Sequence, residues 1–320
     1  MTRFHWFKAN DRVSLALALC FLSLAFPISA QTDVQPGTAL ISVDVNLVVL
    51  HATVRDRKGG FASDLRKEDF RVFENGVLQK IGVFQHEDVP VAVGLIVDNS
   101  GSMRRKQKDV AAAAMAFVKS SNPKDEMFIV NFNERVSYGL PNTKLFSAKP
   151  ADLESALNGV PANGRTALYD ALDTGFAHLK QANLDKKVLI AISDGGDNAS
   201  HTTLAQVLAT AGRSNAIVYT IGLFDEYDKD RNPGVLSKIA RATGGEMFLP
   251  RESSKVVEVC ERIAGDIRNQ YMLGYAPTNQ KLDNSYRTIK VVVAGRRGAR
   301  LQVRARAGYI AAPRQDVRPQ

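Results

Sequence analysis

The chain has 320 residues, 45% of them hydrophobic and 23% charged, with a formal net charge of +9. That length suits about two domains at roughly 150 residues each, and the composition is that of a folded protein, which excludes an intrinsically disordered chain. The only cysteines are Cys20 and Cys260, too few for a disulfide framework.

The N-terminus comes first in chain order. Arg3, Lys8 and Arg12 precede an apolar run, Val13 to Phe26, and then Pro-Ile-Ser-Ala ending at Ala30. This is the layout of a secretory signal peptide over residues 1–30, cleaved after Ala30. As a retained anchor, the run falls short of the roughly 20 apolar residues a membrane span needs. The expectation is an exported protein, periplasmic or extracellular, without a transmembrane anchor after cleavage. Cleavage removes Cys20 and leaves a net charge of about +7. It also leaves Cys260 alone, and Val256, Ile263 and Ile267 at helical spacing mark it as a buried core thiol.

A polar linker, 31–37, leads into an N-terminal β segment, 38–88. Its first strand lies in ISVDVNLVVLHATVR and ends at a Lys-Gly-Gly turn. Phe70, Val72 and Phe73 then precede Asn75-Gly76, a hairpin signal, with Val77, Leu78, Ile81 and Val83 after it. From 90 to 268 the rhythm changes. The apolar runs VAVGLIVD, EMFIVNF, KKVLIAIS and AIVYTIGL alternate with helical patterns, with RVSYGL as a hairpin partner and EMFLP as a short last strand. Continuous apolar strands separated by helices predict a doubly wound, mostly parallel six-stranded sheet covered on both faces. The segment 269–310 returns to β in three stretches, QYMLGYAP, YRTIKVVV and ARLQVRARAGY, before a flexible tail at 311–320. Neither terminal segment buries much alone, so the two are expected to pack together as a flanking β-sandwich-like domain.

In an open α/β sheet, ligands bind beyond the carboxyl ends of the strands, where chain order reverses. Asp98 ends one apolar run, with Ser100 and Ser102 in the loop after it. Asp194 follows another, in SDGGDN, and Thr166 opens a helix after Gly164. Two carboxylates and three hydroxyls, with no histidine or cysteine, are hard oxygen ligands suited to Mg²⁺, Mn²⁺ or Ca²⁺ and not to zinc. Arg165 and Asn99 fill the positions between them, and Asp197 lies in the same Asp-Gly-Gly-Asp turn as Asp194. These three are candidates for contact with a partner, although a surface arginine and a turn aspartate are the plainer readings. Asp170 is expected to brace a loop or to lie on a helix surface.

This ordered set, D-x-S-x-S at 98–102, Gly-x-Thr at 164–166 and Asp-Gly at 194–195, resembles the metal-ion-dependent adhesion site (MIDAS) of von Willebrand factor A-type domains. The wider pattern, EDFRVFENGVLQKIGVF before the domain and QYMLGYAP…RTIKVVV…RARAGY after it, resembles the acidobacterial VWFA-related secreted proteins. The resemblance implies that Ser100 and Ser102 bind the ion through their hydroxyls. It implies that Thr166 binds directly when a partner is engaged, and that Asp98 and Asp194 act mainly through bound waters. With neutral direct ligands the ion keeps much of its charge and accepts a carboxylate from a partner protein.

Catalysis is the rival function. An Asp at the end of a buried strand also resembles phosphotransferases with an Asp nucleophile, but Ser100 stands where those usually carry a second Asp. Phosphate-binding Gly-rich loops, nucleophile elbows and zinc-protease helices are missing from the sequence. A binding module is therefore expected over a metal-dependent hydrolase or phosphotransferase, with a scaffold whose ion only ties loops together as the third reading. The basic stretches Arg104–Lys108 and Gly295–Arg306 belong to no nucleic-acid module. Nucleic acid is not an expected partner, and attraction to an acidic one stays open.

Overall fold

The structure, a computed structural model, describes residues 47–86, 88–158, 160–224, 231–294 and 300–313. The expected signal segment 1–30, the linker 31–37, the start of the N-terminal β segment and most of the tail lie outside the described residues. Among the described residues no helix is long and apolar enough to cross a membrane.

Four strands come first: β1 (Val48–Arg55), β2 (Phe70–Glu74), β3 (Val77–Gln79) and β4 (Ile81–Gln85). Asn75 and Gly76 join β2 to β3 with φ of +47° and +82°. Both central residues are left-handed, as a two-residue turn that matches strand twist requires. The chain then changes sheets at Lys80, so β3 pairs with β2 while β4 does not.

The α/β unit follows with β5 (Ala92–Asp98), α1 (Gln107–Lys119), β6 (Glu126–Phe132), β7 (Val136–Tyr138), α2 (Pro150–Asn158) and α3 (Leu168–Leu179). It continues with β8 (Lys187–Ser193), α4 (Leu204–Arg213), β9 (Ile217–Gly222), α5 (Pro233–Thr243), β10 (Met247–Phe248) and α6 (Val256–Arg268). The six strands lie in the order β10-β9-β8-β5-β6-β7, parallel except for β7. All of β5 and β9 is buried, as strands covered on both faces must be. One layer packs α1 with α2 and α6, and another packs α4 with α3 and α5. Local signals set the helix ends. Thr203 and Gln206 form a reciprocal cap on α4, while Asn232 caps α5 ahead of Pro233, with left-handed Gly244 closing it. The chain leaves β5 toward β6 on one side and returns to β8 on the other, so order reverses between β5 and β8.

The last strands are β11 (Gln270–Tyr275), β12 (Tyr286–Val293), β13 (Gln302–Arg304) and β14 (Gly308–Ile310). They complete two antiparallel sheets, β13-β1-β11-β4 and β14-β12-β2-β3. Each sheet takes strands from both ends of the chain, as the sandwich expectation required. Leu50, Ala52, Val54, Tyr271 and Leu273 from one sheet meet Phe70, Val72 and Ile289 from the other in a core of their own. The C-terminal stretch holds four strands where three were expected. ARLQVRARAGY is broken around Arg306, whose buried guanidinium donates to Gly212 O (3.1 Å) and Ser214 O (2.9 Å) at the end of α4.

Candidate metal centre

Strands β5 and β8 run side by side from Ala92↔Lys187 to Val97↔Ile192, which brings Asp98 and Asp194 to the same end of the sheet. Beyond that end the loops close on one another. Asp98 Oδ1 accepts the Ser100 N–H (2.8 Å), and its Oδ2 accepts the Ser193 hydroxyl (2.6 Å). Ser102 Oγ donates to Asp194 Oδ2 (2.5 Å) and lies 3.1 Å from Ser100 Oγ. Asp194 Oδ1 accepts the Gly196 N–H (3.0 Å), and its carbonyl accepts the Asn232 N–H (3.1 Å). Gly195 turns the chain there with φ of +79°, and a Cβ on it would fall 2.5 Å from Asn232 O. A side chain at this position would displace the loop that holds Asp194.

Thr166 arrives on the loop between α2 and α3. Its N–H donates to Asn198 Oδ1 (2.9 Å), and its carbonyl accepts the N–H groups of Asn198 (2.9 Å) and Ala199 (3.0 Å). The Gly101 N–H donates to Gly164 O (3.1 Å), which ties the serine loop to the threonine loop. The expected residues Asp98, Ser100, Ser102, Thr166 and Asp194 are thus carried by three loops that hydrogen-bond to each other.

Asp98, Ser100, Asp194 and Thr166 are buried, at 1, 1, 2 and 6% exposure, while Ser102 is open to solvent. Burial, and then the neighbouring Asp194 carboxylate, push Asp98 up to about 7, against the pull of its bonds to Ser100 and Ser193. Asp98 has no ion pair among the described residues. A cation bound here would relieve that unfavourable charge. The donors fit a hard divalent ion, since all are oxygens and most are neutral hydroxyls. Among the described residues no group of three or more His, Cys, Asp or Glu side chains could hold a metal, so the carboxylate-rich or imidazole type of site is not formed.

The remaining candidates separate. Arg165 is exposed, and its backbone N–H donates to Glu134 Oε2 (3.1 Å). Asn99 turns its amide inward. It is 2% exposed, and its amide binds Asn131 Oδ1 (3.1 Å), Val97 O (3.3 Å) and the Gln107 amide (3.2 Å). Asp197 turns inward, accepting the Ser200 hydroxyl (2.6 Å) and the Tyr169 N–H (3.2 Å). Asp170 braces the next loop through the N–H groups of His201 (2.9 Å) and Thr202 (2.8 Å). Sequence reading missed Ser193 and Asn198. A hydroxyl at the tip of a buried strand was the available signal for the first.

No curated protein matches the sequence. Residues 93–196 match the family model of the von Willebrand factor type A domain. Among solved structures the chain is similar to a von Willebrand factor type A protein from Catenulispora acidiphila, at 17% identity and a TM-score of 0.52, over 77% of this chain and 75% of that one. It is also similar to the vWF domain of the type V pili tip protein Mfa5 from Porphyromonas gingivalis, at 13% identity and a TM-score of 0.48, over 56% of this chain and 95% of that one. A third likeness is to proximal thread matrix protein 1 from the mussel byssus, with a zinc-occupied MIDAS motif, at 18% identity and a TM-score of 0.49, over 61% of this chain and 49% of that one. At such identities the likeness is one of fold. The family match spans the strands and loops that carry Asp98, Ser100, Ser102, Thr166 and Asp194, and the six-stranded unit of this chain has the fold of von Willebrand factor type A proteins.

Proposed function

We propose that the protein is a binding module that works outside the cytoplasm and is not an enzyme. Its α/β unit would hold one divalent cation through the hydroxyls of Ser100, Ser102 and Thr166. Mg²⁺ is the first choice on the hardness of the donors, with Mn²⁺ or Ca²⁺ as alternatives. When bound, the ion supplies an open coordination position for a carboxylate of a partner protein. The chain's own residues prepare that position. Asp194 orients the Ser102 hydroxyl, Asp98 holds the turn that presents Ser100, and the Asn198 amide fixes the Thr166 backbone. Asp197 supports the loop, and Arg165, exposed beside Thr166, faces the partner.

The observation that carries this reading is the hydrogen-bonded chain Ser100 Oγ, Ser102 Oγ, Asp194 Oδ2 at the point where strand order reverses. Capture of partners from the native envelope in Mg²⁺, against EDTA and against Asp98→Ala, tests it. Capture is expected only with Mg²⁺ and the intact site. If capture ignores both changes while the melting temperature falls, the ion is a structural tie. Turnover of a phosphate ester that depends on Asp98 would return the protein to the enzymes.

The export reading is part of the proposal, and it rests on the charge and apolar pattern of residues 1–30. Mass spectrometry of the mature protein is expected to find Gln31 at the N-terminus. The proposed domain limits are 38–88 with 269–310 for the β domain and 90–268 for the α/β unit.

A further inference from the structure

We infer that the carboxylate offered to this site belongs to an acidic stretch of polypeptide, whose neighbouring carboxylates meet a rim of unpaired cations around the metal centre. The inference rests on the metal-dependent reading above and adds what the partner must look like.

Three loops build the rim. Arg104 and Arg105 follow Ser102 directly, and Lys108 lies in the first turn of α1. Arg165 adjoins Thr166, and Arg135 lies between β6 and β7. The backbone holds these loops together. Gly101 N–H donates to Gly164 O (3.1 Å), Arg104 Nε to Ala162 O (3.2 Å) and Ala167 N–H to Asn133 O (2.7 Å), and the Asn133 amide donates to Asn163 Oδ1 (3.0 Å). All five basic side chains are exposed. None of them forms an ion pair among the described residues, although surface arginines and lysines elsewhere in the chain do, as Lys144 with Asp152 and Arg262 with Glu246. The Glu134 carboxylate stands among them, with one oxygen engaged by the Arg165 N–H. Asp98 and Asp194 add negative charge, which a bound divalent ion cancels. The loaded site therefore faces solvent as a positive ring around an ion whose charge the two buried carboxylates balance, a field that collects and orients polyanions.

A cleft of about 470 Å³ favours a polypeptide over other polyanions. It opens beside Asp98 and is lined by apolar Val97, Val110, Leu157 and Pro161 and by polar Asn99, Gln107, Lys108 and Asn158. Such a lining takes apolar side chains next to a carboxylate. Acidic peptides supply them, and uronic-acid polymers and lipid headgroups do not.

The test uses the full chain and two labelled peptides, followed by fluorescence anisotropy. One peptide carries several aspartates among leucines and serines. In the other, all aspartates but the central one are asparagine. In Mg²⁺ the acidic peptide is expected to bind more tightly, with an advantage that shrinks as salt rises. Combining Arg105→Gln, Lys108→Gln and Arg135→Gln should weaken the acidic peptide about ten-fold, at about two-fold per exposed pair, and the single-aspartate peptide far less. Equal affinity for the two peptides, no loss in the triple variant, or no binding of the acidic peptide overturns the rim assignment, while metal-dependent capture of the native partner still upholds the underlying reading. Acidic-peptide binding that ignores EDTA and Asp98→Ala overturns both. Tighter Mg²⁺-dependent binding of polygalacturonate or of anionic vesicles overturns the choice of polypeptide.

Discussion

Asp98 is the residue on which the centre's chemistry turns, because it is buried, close to a second carboxylate and, among the described residues, without an ion pair. Burial and Asp194 raise it from its ordinary 3.8 to about 7 in the metal-free fold. The folded chain therefore keeps a proton that the unfolded chain sheds near pH 4. Stability from this group is fully present below the unfolded value and is lost as pH rises through about 7. A bound cation reverses the balance, since it competes with that proton. The rise in melting temperature given by Mg²⁺ should be larger at pH about 8 than at pH about 6, and Asp98→Asn should remove most of the difference. Equal rises at both pH values would mean that Asp98 does not face the ion. At this scale the sequence was legible where residue type and position relative to a strand end were enough to say which side chains the fold brings to one end of the sheet, as for Asp98, Ser100, Ser102, Thr166 and Asp194. It was not legible where a role depends on which neighbour a side chain meets in space. Ser193 reaches Asp98 across 95 residues and Asn198 reaches Thr166 across 32, and no spacing rule marks either. Asn99 lies between Asp98 and Ser100 in sequence, yet its amide turns away from them to Asn131.

At the scale of elements, the strands and helices of the α/β unit were legible because burial on both faces writes long apolar runs and helical spacing writes the rest. The Asn75-Gly76 hairpin was equally plain. The two places where the chain changes sheets were not. Lys80 separates β3 from β4, and Arg306 separates β13 from β14, inside stretches that each read as continuous. In the second case the cause is one side chain. Arg306 donates to Gly212 O, Ser214 O and Gly308 O (3.1, 2.9 and 2.8 Å) and so ties the C-terminal strands to the end of α4. Arg306→Met should leave these carbonyls short of donors and cost about 2 kcal/mol, read as a lower urea midpoint. Arg306→Lys should recover little, because an ammonium lacks the planar fork that spans several carbonyls. A methionine variant as stable as the parent would show that the break in the strand has another cause.

At the scale of the whole molecule, two apolar cores are joined by a polar seam. The core of the α/β unit and the core of the two antiparallel sheets are separate. Between them lies Asp266 of α6, with its side chain at 0% exposure. It accepts from Arg55 of β1 (2.5 Å) and from Arg304 of β13, and Arg304 also reaches Glu246 (2.9 Å). Close by, Arg268 bridges Asp88 and Asp125 (2.8 and 2.6 Å), beside the two points where the chain passes between the cores. Such a seam holds the cores in one orientation but depends on the carboxylate at its centre. Asp266→Ala leaves two arginines without that partner, and losing one member of a buried pair costs about 3–5 kcal/mol. The loss falls on the seam and not on either core, so the cores should part company. Calorimetry of the variant is expected to resolve two thermal transitions where the parent shows one. Replacing the cluster as a whole, with Arg55→Met, Asp266→Leu and Arg304→Met, should restore a single transition, because no charge is then buried alone. If Asp266→Ala melts in one step at the parent's temperature, the cores are coupled by something other than this ion cluster.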